Sequence, residues 1–132
     1  MIKRSILLLF LSCLCFAQVL FASITTLTLD SGSKALLYLP PGFNTYEKTP
    51  FLMALHGMSE YTRPTLKKWQ SVADTLGYIL ICPIGSDFSS GYTKSPVDDR
   101  LEFVKFKQEL EQRFTIDSEN SLLIGFDSKS TM

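Results

Sequence analysis

The chain has 132 residues, 13 basic and 13 acidic side chains, and a single histidine, His56. A chain of this length is one domain, and its zero net charge gives no electrostatic footprint for nucleic acid. One histidine and three cysteines (Cys13, Cys15 and Cys82) exclude two-histidine and four-cysteine metal centres, and no cofactor is implied.

The N-terminus carries Lys3 and Arg4, then an apolar run from Ile6 to Phe16, then the small residues Ala17, Ala22 and Ser23. These are the basic, apolar and cleavage regions of a secretory signal peptide. Residues 1–22 are therefore expected to be removed after Ala22, with Ala17 as the second site, leaving a secreted or periplasmic domain over residues 23–132. The alternative is a membrane anchor through an uncleaved segment, although Gln18 interrupts a run that barely reaches spanning length. Ser12-Cys13 resembles the end of a lipobox, but Phe10 and Leu11 fit its upstream positions poorly. Cleavage takes Lys3 and Arg4 away, so 11 basic residues face 13 acidic ones, a net charge of −2. It also leaves Cys82 as the one thiol, inside the apolar run of residues 78–82, where a packing role is expected.

Residues 24–29, Ile-Thr-Thr-Leu-Thr-Leu, alternate as a half-buried strand does. Residues 30–33, Asp-Ser-Gly-Ser, form a turn cluster, and residues 34–39 give a second strand, so the pair reads as a hairpin closed by Pro40, Pro41 and Gly42. Residues 50–55 are a short, continuously apolar run, the pattern of a strand covered on both faces. Leu66, Trp69, Val72, Ala73 and Leu76 recur at helical spacing over residues 65–76, with Gly77 as a stop. Residues 78–82 give another buried strand, closed by Pro83. Asp98 or Asp99 is expected to start a second helix, with carboxylates near its positive end. That helix runs to about Phe114, with Leu101, Val104, Leu110 and Phe114 among its apolar positions. Residues 120–125 form the last strand. The order β-β-β-α-β-α-β predicts a layered α/β domain whose later strands are parallel.

Ligands on open α/β sheets bind beyond the carboxyl ends of the strands. Two segments fall there: Leu55-His56-Gly57-Met58-Ser59 after the third strand, and residues 125–130 after the last. A glycine at such a strand end lets the backbone turn sharply and bring N–H groups to a ligand, where they can stabilise an oxyanion. The simpler role for His56 is a turn residue bonded to backbone. Tyr61, Trp69, Phe88 and Tyr92 could line a cleft for an aromatic or polyester substrate, although the spacing of Trp69 with Leu66 and Val72 favours core. Lys67-Lys68 is simplest as a solvated helix face. Asp98 and Asp99 are adjacent and do not share a helix face, which favours a helix start over a paired-carboxylate site.

The ordered set Tyr38-Leu-Pro-Pro-Gly42, Leu55-His-Gly57, Trp69-Gln70, Ala73-Asp74, Leu76-Gly77, Pro83-Ile-Gly-Ser86, Val97-Asp-Asp99 and Leu123-Ile-Gly-Phe126 resembles the α/β-hydrolase superfamily. The similarity is greatest to its secreted polyhydroxybutyrate depolymerase/feruloyl esterase-like group, and it covers nearly all of the exported part. It implies the N-terminal portion of a three-layer α/β-hydrolase-like sheet, of about five strands with flanking helices. It also implies an oxyanion loop at His56, Gly57 and Met58, and an ester as substrate. It does not make His56 the catalytic base, because the family's base histidine follows the nucleophile and the acid.

The nucleophile elbow Gly-x-Ser-x-Gly should lie at residues 125–130, and the sequence departs from it. Counting from Gly125 puts Asp127 in the nucleophile position and Lys129 in that of the second glycine. Counting from Ser128 puts Phe126 and Ser130 in the glycine positions. Ser128 or Asp127 is expected as the remnant of a degenerate elbow, or as the cap of an ordinary turn. An aspartate nucleophile would still need a histidine to activate water.

The sequence given stops at Met132, where the elbow would feed a helix; in the resembling fold roughly three more strands follow, bearing the acid and the base. The expectation is a truncated, inactive remnant of a secreted carboxylic-ester hydrolase, lacking the triad acid and histidine. The alternatives are a non-catalytic exported binding domain and a half-domain that self-associates through an exposed strand edge.

Overall fold

A computed structural model of the chain describes residues 22–57, 60–86, 92 and 99–125. The signal segment, apart from Ala22, lies outside the described residues. Five strands and two helices follow in the expected order: β1 (Ser23–Thr28), β2 (Lys34–Leu39), β3 (Phe51–Leu55), α1 (Thr62–Leu76), β4 (Ile79–Pro83), α2 (Arg100–Arg113) and β5 (Leu122–Gly125). They form one sheet in the order β1-β2-β4-β3-β5. The β1–β2 hairpin is antiparallel and joins β4 antiparallel, whereas β4, β3 and β5 run parallel.

The hairpin ends at a β-turn in which the Phe43 N–H donates to the Pro40 carbonyl at 3.1 Å. Pro41 presets the first central residue of that turn, and Gly42 supplies the positive φ, 75°, that the second requires. Past it, Thr49 bridges Ile116 in parallel, and the Phe51 N–H donates to Ser121 Oγ at 3.0 Å. These contacts align β3 with β5 before their ladder begins.

Strand alternation divides the core in two. Ala35 and Leu37, Phe51, Met53 and Leu55, and Ile79 and Ile81 pack on one side of the sheet under Phe103, Phe106 and Leu110 of α2. Leu36 and Tyr38, Leu52 and Ala54, and Leu80 and Cys82 pack on the other under Leu66 and Ala73 of α1, with Trp69 and Val72 partly buried beside them. This is a three-layer α/β/α arrangement. Its two-sidedness follows from strand order: β4 and β5 lie on opposite sides of β3, so the two crossovers run in opposite directions. Right-handed crossovers of opposite direction put their helices on opposite faces. Covered on both faces, β3 and β4 are buried at every residue, as continuous apolar runs require.

Both helices differ in detail from the sequence expectation. Helix α1 begins at Thr62 rather than Thr65, because Pro64 sits in the first turn, where its missing N–H leaves no intrahelical bond unmade. It ends as expected at Gly77, whose φ of 69° is left-handed, and the Tyr78 N–H donates back to the Ala73 carbonyl. Leu76 is half exposed rather than core. In α2 the buried stripe is Phe103, Phe106 and Leu110, while Leu101 and Val104 are 69% and 58% exposed. The larger aromatic side chains take the interior and turn the aliphatic pair outward. Cys82 is buried as expected, and desolvation pushes its thiol up to about 12.

Candidate functional site

The three parallel strands end together. Leu55 of β3 pairs with Gly125 of β5, and β4 hands over to Ile84, Gly85 and Ser86 alongside. Their carboxyl ends form the candidate site. His56 follows β3 directly and is buried. Its Nε2 accepts the Gly85 N–H at 3.3 Å, and its Nδ1 lies 2.9 Å from the Gly57 carbonyl. With Nε2 accepting from Gly85, Nδ1 is the nitrogen that donates to the Gly57 carbonyl. Both nitrogens are thereby spent on backbone. The His56 ring thus ties the end of β3 to the loop that follows β4.

The backbone of His56 is held by a residue the sequence placed elsewhere. Tyr92, expected as a cleft-lining residue, is fully buried instead. Its hydroxyl accepts the His56 N–H at 3.1 Å and donates to the Pro83 carbonyl at 3.0 Å. Its ring leans on His56 at 4.6 Å between centroids and meets the edge of Phe103 at 5.2 Å. Burial pushes the Tyr92 phenol far above its ordinary value, so it remains a hydroxyl that can both donate and accept. The neighbouring strand ends carry amide and carbonyl groups that no ladder partner reaches, and a buried tyrosine satisfies two of them at once.

Asp99 stands at the start of α2 as expected, but its side chain makes no cap bond to the helix. It reaches instead to Ser86, accepting the N–H and the Oγ–H at 2.9 Å each on the same oxygen. The carboxylate therefore anchors the β4 exit loop to α2. Its backbone N–H donates to the Tyr92 carbonyl, which completes a cluster of His56, Gly85, Ser86, Tyr92 and Asp99. A cavity of about 330 Å³ opens beside it, walled by Ser31, Lys34, Gly85, Ser86 and Asp99.

Gly57 carries the N–H expected to face an oxyanion. That N–H donates to Glu60 Oε2 at 3.0 Å, while the Glu60 N–H donates to the Gly57 carbonyl at 3.2 Å. The reciprocal pair has the form of the return half of a capping box, in which a glutamate reaches back three residues to a free backbone donor. The sequence reading missed Glu60. Its only local signal is the three-residue spacing from Gly57, which a glycine without a side chain does not advertise.

Of the other expected site residues, Tyr61 is exposed beside a cavity of about 290 Å³ that it shares with Glu60, Pro64, Thr65 and Lys68. Trp69 packs against the α1-side core. Met58, Phe88, Asp98, Asp127 and Ser128 lie outside the described residues. Among the described residues no three His, Cys, Asp or Glu side chains gather as a metal site.

No protein-family model and no curated protein sequence matches the chain. Solved structures match in fold. The chain is similar to an S-formylglutathione hydrolase from Agrobacterium tumefaciens (TM-score 0.59, 15% identity, covering 83% of this chain and 50% of that one). It is also similar to an esterase from Pyrobaculum calidifontis (TM-score 0.61, 15% identity, 92% of this chain and 40% of that one). A third similarity is to a CE1 ferulic acid esterase from Anaeromyces mucronatus (TM-score 0.56, 20% identity, 81% and 48%). The sheet and its two flanking helices are thus an α/β-hydrolase-like fold of the kind esterases carry. The chain spans half or less of the length of these proteins.

Proposed function

We propose that this chain supplies the oxyanion-side framework of a carboxylic-ester hydrolase of the secreted polyhydroxybutyrate depolymerase/feruloyl esterase-like group. Its N-terminal segment serves as the export signal. Ser128 or Asp127 is the remnant of the nucleophile position, and the 132 residues alone do not turn over esters. The observation that carries the inactivity is the state of His56, whose two ring nitrogens are both bonded to backbone. A serine esterase needs an imidazole free to take the nucleophile's proton, and this sequence has no second one. Support for the ester reading comes from Gly57 at the end of β3, from the Leu55–Gly125 register that brings the two strand ends level, and from the esterase fold of the neighbours.

The test is hydrolysis of a chromogenic short-chain ester by the purified 132-residue chain and by its His56→Gln variant. The expected result is no turnover above buffer in either. Robust turnover that His56→Gln abolishes would overturn the proposed inactivity.

A second reading, self-association through β5, is favoured by Leu122 and Leu123, which are 50% and 56% exposed at the sheet edge.

A further inference from the structure

The Gly57 amide is held by an anion from its own chain. Glu60 Oε2 lies 3.0 Å from the Gly57 nitrogen. A β-carbon built on Gly57 would meet Glu60 Cδ at 3.2 Å and Oε2 at 3.3 Å, so the carboxylate packs directly over the glycine. An ester's carbonyl oxygen, on gaining charge, needs the same donor that a carboxylate oxygen takes here, and a charge-assisted bond of this kind is stronger than one to a neutral carbonyl. The occupant can leave. Glu60 is exposed and forms one wall of the cavity of about 290 Å³ that it shares with Tyr61, Pro64, Thr65 and Lys68. That cavity gives the carboxylate room to turn away, with a lysine on the same wall.

We propose that Glu60 is a resident anion on the Gly57 amide, so that a small carboxylate, or the oxyanion of an ester, reaches this donor only by displacing it. The proposal rests on the reading that Gly57 faces the substrate. It adds that the donor is competed for from within the chain, and that Glu60 sets how weakly anions bind there. The class of ligand follows from the geometry: one carboxylate replaces another, as the acid released by ester hydrolysis would.

Acetate titrated into protein labelled at glycine nitrogen tests this, because the chain has only seven glycines and the Gly57 resonance is assigned by its loss in Gly57→Ala. In the parent protein the Gly57 amide is expected to respond weakly to acetate. In Glu60→Ala it should shift saturably, with affinity at least roughly tenfold higher, equivalent to about 1.4 kcal/mol. Glu60→Gln keeps the shape and removes the charge, and should fall between them; it also serves if the alanine variant loses the dispersed pattern of the other six glycines. An equal response in parent and variants would overturn the proposal, since Glu60 would then not be the competitor. No Gly57 shift in either variant would overturn it too, since the amide would not be an anion site. Ester turnover plays no part in the readout, so failure here is distinguishable from failure of the ester-hydrolase reading.

Discussion

At the residue scale the site is organised by hydrogen bonds that close on each other. His56 gives both ring nitrogens to backbone, Tyr92 joins the ends of β3 and β4 through one hydroxyl, and Asp99 ties the β4 exit to α2. Removing the Tyr92 hydroxyl leaves the His56 N–H and the Pro83 carbonyl without that partner in the interior, where an unmet polar group costs about 1–3 kcal/mol. Tyr92→Phe is therefore expected to lower unfolding free energy by about 2 kcal/mol, read as a lower denaturant midpoint at unchanged slope. A variant as stable as the parent would show that water, not protein, serves those two groups. Along the chain only the bonding of His56 to backbone is anticipated; its partners are not. Tyr92 lies 36 residues from His56, and a tyrosine between glycine and threonine in a polar stretch of sequence carries no periodic signal. The glycine turn after β3 could be read, because strand-to-turn transitions are local; what holds the turn could not.

At the element scale, legibility follows from how many faces a segment covers. Strands β3 and β4 are apolar at every position because α1 and α2 cover them from both sides, and their continuous runs announce this. Helix α1 has one clear stripe, and its residues Leu66, Trp69, Val72 and Ala73 pack as their spacing implies. Helix α2 carries apolar residues on two stripes, Leu101 and Val104 beside Phe103, Phe106 and Leu110, and periodicity alone does not choose between them. Size decides: the two phenylalanines share the buried cluster of Met53 and Ile81, filling space that leucine and valine would leave partly empty. Alanine substitutions separate the stripes. Leu110→Ala, on the buried stripe of α2, is expected to cost about 2–5 kcal/mol, whereas Leu101→Ala should stay within about 0.5 kcal/mol of the parent. Chemical denaturation of the two variants side by side checks this, and the reverse order would mean that α2 packs in the other phase.

At the scale of the whole molecule, the sheet formed by the described residues has two unlike edges. Strand β1 closes one side with Thr25, Thr26 and Thr28 exposed, and polar edge residues of this kind discourage further pairing. Strand β5 closes the other with the uncharged sequence Leu-Leu-Ile-Gly, and Leu122 and Leu123 border an apolar groove of about 290 Å³ with Phe51, Met53, Phe103 and Val104. The apolar α2 stripe that faces outward through Val104 thus continues into the exposed edge. Because β5 exposes two leucines and β1 only Ile24 among its threonines, two copies would meet β5 to β5. A contact that uses the same patch on both partners is isologous and closes as a pair rather than growing into a fibre. Sedimentation over a concentration series is accordingly expected to show a monomer–dimer equilibrium for residues 23–132. Leu123→Lys, which puts a charge on the edge, should shift it to monomer, while Thr26→Lys on the opposite edge should leave it unchanged. A parent that stays monomeric throughout, or a dimer indifferent to Leu123→Lys, would rule out this edge as the contact.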